Sequence, residues 1–111
     1  MAKFNKINKH PSFSRLDVSN ILNVSTLTIA NREKNKKYPP SKRDLNNYRI
    51  YSLNDVFNLQ LITYNHIDPK PIISILYDKG YKDPKIVSEM IDQVLSRRNS
   101  NAWPKQSIRW Y

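Results

Sequence analysis

The chain has no cysteine in 111 residues, which excludes disulfides, thiol chemistry and cysteine-ligated zinc. Its single glycine, Gly80, leaves no material for a glycine-rich phosphate loop. No apolar run approaches the ~20 residues of a membrane span, and no apolar segment follows Met1-Ala2-Lys3-Phe4-Asn5-Lys6 as a secretory signal requires. The two histidines, His10 and His66, lie far apart with no cluster of carboxylates beside either, so no metal is expected. Acidic groups are scarce, 9 Asp and Glu against 19 Lys and Arg. Those nearest to a catalytic cluster, Asp78, Asp83, Glu89 and Asp92, alternate with Lys79, Lys82 and Lys85 as on a solvated helical face. No Ser/His/Asp set is present either. The expectation is a protein that is not an enzyme and takes no cofactor.

What the sequence does contain is positive charge, unevenly placed. Residues 1–51 hold eleven Lys and Arg against three acidic groups, a net +8, and residues 52–111 hold eight against six, a net +2. Such an asymmetry points to a polyanion met by the N-terminal half.

Periodicity and start signals then divide the chain. Residues 1–14, with Lys3, Lys6, Lys9 and His10 around Phe4, Ile7 and Phe13, read as a basic arm, ordered only where Phe13 docks. A first helix is capped by Asp17, with Leu16 and Ile21 as its hydrophobic staple. A second, 25–34, is capped by Ser25 with Val24 and Ile29 as staple, and Asn23 lies in the turn between them, where positive φ is wanted. A third runs from Ser52, in a capping box with Asp55, to about Tyr64, and its broad apolar surface marks it as central. Asp68-Pro69 and Asp83-Pro84 open two more helices, the fourth ending at Gly80 and the fifth near Arg98. Residues 15–66 thus form one unit, 67–98 a helical pair that packs on it or dimerises, and 99–111 an aromatic tail with Trp103, Trp110 and Tyr111.

On the second helix, an advance of 100° per residue puts Thr26, Arg32 and Glu33 on the side of inward-facing Ile29. Leu27, Ala30, Asn31 and Lys34 fall on the opposite face, which has no acidic group and the width of a major groove. Asn pairs bidentately with adenine and small apolar groups meet a thymine methyl, so these four are the candidate base readers. Ser25 and Thr28, at the helix start, suit phosphate oxygens. Lys36, Lys37, Lys42 and Arg43 surround Pro39-Pro40, and Tyr48 and Arg49 follow on a short strand; all six are candidate phosphate contacts.

Together Leu16-Asp17-Val18, Asn23-Val24-Ser25, Thr28-Ile29, Pro39-Pro40, Arg43, and above all Asn47-Tyr48-Arg49-Ile50-Tyr51-Ser52 with Asp55-Val56, resemble the MerR-type winged helix-turn-helix superfamily, which includes MerR regulators and small phage excisionases. The resemblance covers about residues 14–62. It implies a winged helix-turn-helix with a small β-ribbon wing, 36–51, to which the two C-terminal helices read above are additional, for a mainly helical fold. It also implies a helix in the major groove, a wing on the phosphate backbone, and dimers on paired half-sites. This sequence has Asn23 at the family's turn glycine, Asn35-Lys36 near the glycine before the wing, and Arg32 where an aromatic is common. About fifty residues stand in place of the long coiled coil and effector-binding segment.

The expected function is sequence-specific binding of double-stranded DNA by a cytoplasmic, nucleoid-associated homo-oligomer. It would act as a small transcription regulator beside RNA polymerase, or as an excisionase beside a recombinase. Rival expectations are a protein-interaction module using residues 83–98 and the aromatic tail, and an RNA-binding accessory, for which no aromatic stacking platform stands out.

Overall fold

The computed structural model describes residues 11–102, with side chains through Arg98. Eight elements follow in order: β1 (Ser12–Ser14), α1 (Arg15–Leu22), α2 (Thr26–Lys34), β2 (Lys42–Arg43), β3 (Arg49–Ser52), α3 (Leu53–Tyr64), α4 (Pro69–Asp78) and α5 (Pro84–Ala102). The fold is mainly helical, with one small antiparallel sheet in the order β1-β3-β2.

Strand β1 falls inside the stretch expected to be an arm. Phe13 lies opposite Tyr51 and both are buried, so the pair fixes the start of the chain against β3. The expected basic arm at 1–14 is therefore shorter, its remaining basic residues lying outside the described residues. This strand also moves the first cap. Ser14, not Asp17, is the N-cap of α1; its hydroxyl accepts from the Asp17 N–H, and the Asp17 carboxylate accepts from the Ser14 N–H. Asp17 is the reciprocal member of that capping box, and sequence reading placed the cap three residues too late because the strand before it was not foreseen. Ser25 and Ser52 cap α2 and α3 as their spacing predicts, and Asp55 completes the second box.

Helix ends follow one rule. At Gly80 (φ 106) the Tyr81 N–H returns to the Leu76 carbonyl, and at Asn23 (φ 58) the Val24 N–H returns to Ser19. At Lys36 (φ 64) the Lys37 N–H returns to Arg32, while the Lys36 N–H reaches Glu33. All three are left-handed stops that satisfy carbonyls left open by the last turn. Glycine fills one, asparagine another, and a lysine the third.

Helix α3 is the centre. Val56, Phe57 and Leu59 are buried, and α3 meets α1, β3 and α5. Its buried Gln60 donates to the Asp68 carbonyl at 2.8 Å and accepts from the Asp68 N–H at 3.1 Å, setting the turn into α4. The Tyr64 hydroxyl donates to the Leu22 carbonyl at the end of α1. Arg98 reaches from α5 to Asn54 at 2.6 Å and Asn58 at 2.7 Å, pinning α5 along α3; burial alone lowers its pKa below the ordinary arginine value. Helix α5 runs four residues past the expected end at Arg98. Its stripe of Val87, Met90, Ile91 and Leu95 is buried, with Val94 packed against it, in the same core as Phe13 and Ile29. That stripe was a candidate dimer surface; in the monomer it is filled by α3 and α4.

The Asp17 carboxylate also pairs with the Lys79 ammonium at 2.9 Å, tying α1 to the end of α4. Burial works against the carboxylate, but Lys79 and the Ser14 N–H and hydroxyl outweigh it and hold its pKa below the ordinary value. The unfolded chain therefore takes up this proton first as pH falls. The stabilisation is present above the unfolded value of about 3.9 and is lost as pH drops through the folded one. Asp17→Asn should lower stability at pH 7 by about 1 kcal/mol, the upper range for an exposed pair and the middle of the range for a cap. The difference between urea melts of the two chains should begin to shrink as pH falls below about 3.9, the unfolded carboxylate value, and vanish only below the lower folded one.

Candidate nucleic-acid interface

Helix α2 touches the rest of the fold lightly. Ile29 is its one fully buried residue, worth about 1.5–3 kcal/mol in transferred apolar surface. What orients α2 is its only carboxylate. The Glu33 side chain is 8 % exposed and accepts from Arg15 of α1 at 2.5 Å and from the Tyr51 hydroxyl of β3 at 2.7 Å. Arg49 of β3 stands 3.6 Å away and the Ser41 hydroxyl 3.4 Å. Arg15 also donates to the Tyr51 hydroxyl at 3.2 Å. Burial pulls the Arg15 pKa down, but Tyr51 and Glu33 outweigh it and the net shift is upward. Burial and the bond to Glu33 push the Tyr51 phenol up, Arg15 opposing, so Tyr51 stays a neutral donor. One carboxylate thus joins α1, α2, β3 and the segment before β2.

A second anchor holds the loop that leaves α2. Tyr38 is buried; its hydroxyl accepts from Arg32 at 2.8 Å and meets the Thr63 hydroxyl of α3 at 2.5 Å. The Arg32 guanidinium lies 5.5 Å from the Tyr38 ring centre, a distance at which cation and ring attract. Lys36 and Lys37 consequently leave the helix end on a fixed path, both exposed.

The outward residues can now be placed. Leu27 is 67 % exposed, Asn31 and Lys34 are exposed, and Ala30 is half-buried. Ala30 and Lys34 share a cleft of about 400 Å³ with Arg15, Glu33, Pro40 and Arg49. Ala30 is thus less outward than its helical angle suggests, because Pro40 and Arg49 line the same cleft. Thr26 departs the other way: expected inward, it is exposed, since it opens α2 before any neighbour covers that side. Ser25 and Thr28 hydroxyls lie 2.8 Å apart, and the Ser25 oxygen accepts the Thr28 N–H at 3.0 Å. Both are committed to the cap, which leaves an outer ligand the remaining lone pairs and whichever hydroxyl proton lies outside that bond.

Strands β2 and β3 form a hairpin whose turn is internally tied. The Asp44 carboxylate accepts from the Asn46 and Tyr48 N–H groups at 2.9 Å each, and Asn47 sits at φ 68. Arg43 donates to the Asn47 carbonyl and side-chain oxygen at 3.3 Å. Leu45 is fully exposed at the tip, and Tyr48 is 70 % exposed. Lys42 and Arg43 are exposed, whereas Arg49 is half-buried and donates to Ser41 at 3.0 Å. The expected phosphate residues therefore divide: Lys36, Lys37, Lys42, Arg43 and Tyr48 reach outward, and Arg49 is shared with the network around Glu33.

Residues 24–51 hold seven Lys and Arg and two acidic groups, Glu33 and Asp44. Glu33 is paired inward with Arg15 and Arg49, so Asp44 is the one exposed acid among the outward cations of this stretch. Helical angle places Glu33 inward but does not reveal its partners Arg15, Tyr51 and Ser41, and nothing in the basic loop around Pro39-Pro40 singles out Tyr38. One signal was available: Glu33 is the only acid from 18 to 43, and it falls on the face of Ile29. Among the described residues no group of three or more His, Cys, Asp or Glu could hold a metal, and no helix is long and apolar enough to cross a membrane. No family model, no curated protein and no solved structure matches the chain.

Two substitutions separate these anchors. Glu33→Gln keeps the shape but leaves Arg15 and Arg49 without an opposing charge, and should cost about 2 kcal/mol, within the range for a broken part-buried charged hydrogen bond. Lys36→Gly removes a side chain from a left-handed position and should add about 1 kcal/mol. Denaturant midpoints measured at equal m-values check both.

Proposed function

We propose that the chain binds double-stranded DNA, with α2 in the major groove and the β2–β3 hairpin along the phosphate backbone, in the manner of a winged helix-turn-helix. The observation that carries it is the cleft shared by Ala30 and Lys34 of α2 with Pro40 and Arg49. The outer face of one short helix and a cation-bearing hairpin flank the same depression. Leu27, Asn31 and Lys34 supply apolar, bidentate and cationic groups for base edges. Lys36, Lys37, Lys42, Arg43 and Tyr48 supply donors for phosphates, which position without reading sequence.

The MerR-type resemblance supports the same assignment through Tyr48-Arg49, Tyr51-Ser52 and Asp55. Lys36, at φ 64, has the backbone conformation that suits the family's glycine near this point. Arg32 and Tyr38 together supply the packing that a single aromatic gives in the family. In this proposal pairing occurs on DNA rather than through α5, because the apolar stripe of α5 is already used in the core. Side-by-side assembly on adjacent half-sites fits an architectural role at a recombination site better than a preformed dimeric switch.

Binding should weaken steeply with salt. Neutralising ~4–6 phosphates gives a log–log slope of roughly −4 to −5 on duplex DNA. Asn31→Ala should cost about 1–3 kcal/mol on the preferred site and relax sequence preference there. Arg43→Ala should weaken all duplexes alike and flatten the salt slope by about one. Fluorescence anisotropy across a salt series checks all three; a slope near zero, or equal losses for both variants on every duplex, contradicts the assignment.

A further inference from the structure

Helices α4 and α5 leave an apolar groove of about 380 Å³ between them, sharing no lining residue with the cleft beside α2. Ile73 and Tyr77 form one wall, 43 % and 54 % exposed, with Tyr81 beside them. Val87 and Ile91 of α5 form the floor, and Asp92 stands at the rim. Lys82 also lines it, its ammonium 5.1 Å from the Tyr77 ring centre. A concave, mainly apolar site with a few charged groups at its edge is the ordinary form of a ligand seat.

Its size argues against a second copy of the chain. A groove of this volume takes one or two large side chains, whereas a stable association between proteins buries on the order of 1,000 Å² or more. The sequence after α5 supplies an occupant already tethered. Residues 103–111 read Trp-Pro-Lys-Gln-Ser-Ile-Arg-Trp-Tyr, with apolar and aromatic groups, two cations and no acid. Asp92 lies ten residues before Ala102, roughly 15 Å along the helix axis. An extended chain covers about 3.3 Å per residue, so Ile108 and Trp110 reach back roughly 20 and 26 Å, enough to meet the groove. Trp103, one residue past the helix, does not. A tether of this length holds the segment at an effective concentration on the order of millimolar, so a small site suffices.

We infer that the groove between α4 and α5 is the seat for the chain's own 104–111 segment, with Ile108 and Trp110 entering it and Arg109 beside Asp92. The two tryptophans of the chain both lie after α5, so in a Trp103→Phe background Trp110 is the only tryptophan and reports the segment alone. Its emission should be shifted to the blue of free tryptophan and protected from acrylamide at every protein concentration. Tyr77→Glu and Ile73→Glu, each on a part-exposed position of α4, should shift emission to the red and abolish the protection, with far-UV circular dichroism unchanged. An exposed Trp110 in the parent would overturn the inference, as would protection that both groove variants retain. Protection that appears only as concentration rises, with dimers in sedimentation, would assign the groove to a second copy and overturn it equally.

Discussion

The geometry of the N-terminal half depends on one part-buried ion pair network, centred on Glu33. Helix α2 has a single fully buried apolar side chain, Ile29, and one such contact leaves a nine-residue helix free to roll. The Glu33 carboxylate removes that freedom by accepting from Arg15 on α1 and Tyr51 on β3, with Arg49 and Ser41 close by. Taking a carboxylate from water is costly, and only several donors together offset the cost. Glu33 has four partners on three other parts of the chain, and their combined directions set how α2 faces the hairpin.

The same arrangement organises charge. Glu33 is turned inward onto Arg15 and Arg49, which leaves Asp44, tied to the backbone of its own turn, as the one exposed acid of residues 24–51. The cations are left to face outward on Lys34, Lys36, Lys37, Lys42 and Arg43. Beneath them, α3 is the platform: Gln60 fixes α4, Arg98 fixes α5, and Tyr64 fixes the end of α1. The helices beyond α3 therefore stiffen the base from which α2 projects.

How much of this was legible in the sequence follows from the range of each interaction. Caps are local, so Ser25, Ser52 with Asp55, and Asp68 before Pro69 were readable from spacing alone. The cap of α1 is not legible locally because Ser14 closes a strand whose partner lies thirty-eight residues away, Phe13 facing Tyr51. Tyr38 sits among lysines and prolines and looks solvated, yet besides nearby Arg32 it meets Thr63 of α3, twenty-five residues away and out of reach of a local window. The stripe of α5 fits a core or an interface equally well by periodicity, and only the positions of α3 and α4 decide between them. Of the candidate interface, Leu27, Asn31 and Lys34 were placed by helical angle. Ala30 and Arg49 were not, since the cleft that draws them inward forms only when the hairpin returns.

The central claim is that α2 and the hairpin together meet duplex DNA. Amide chemical shifts of the ¹⁵N-labelled chain, followed as a duplex is titrated in, test it most directly. The account predicts shifts concentrated at Leu27, Asn31, Lys34 and Lys36 through Tyr48, with Ile73, Tyr77 and Ile91 unmoved. Shifts confined to α4 and α5, or none at duplex concentrations that saturate binding, would contradict it.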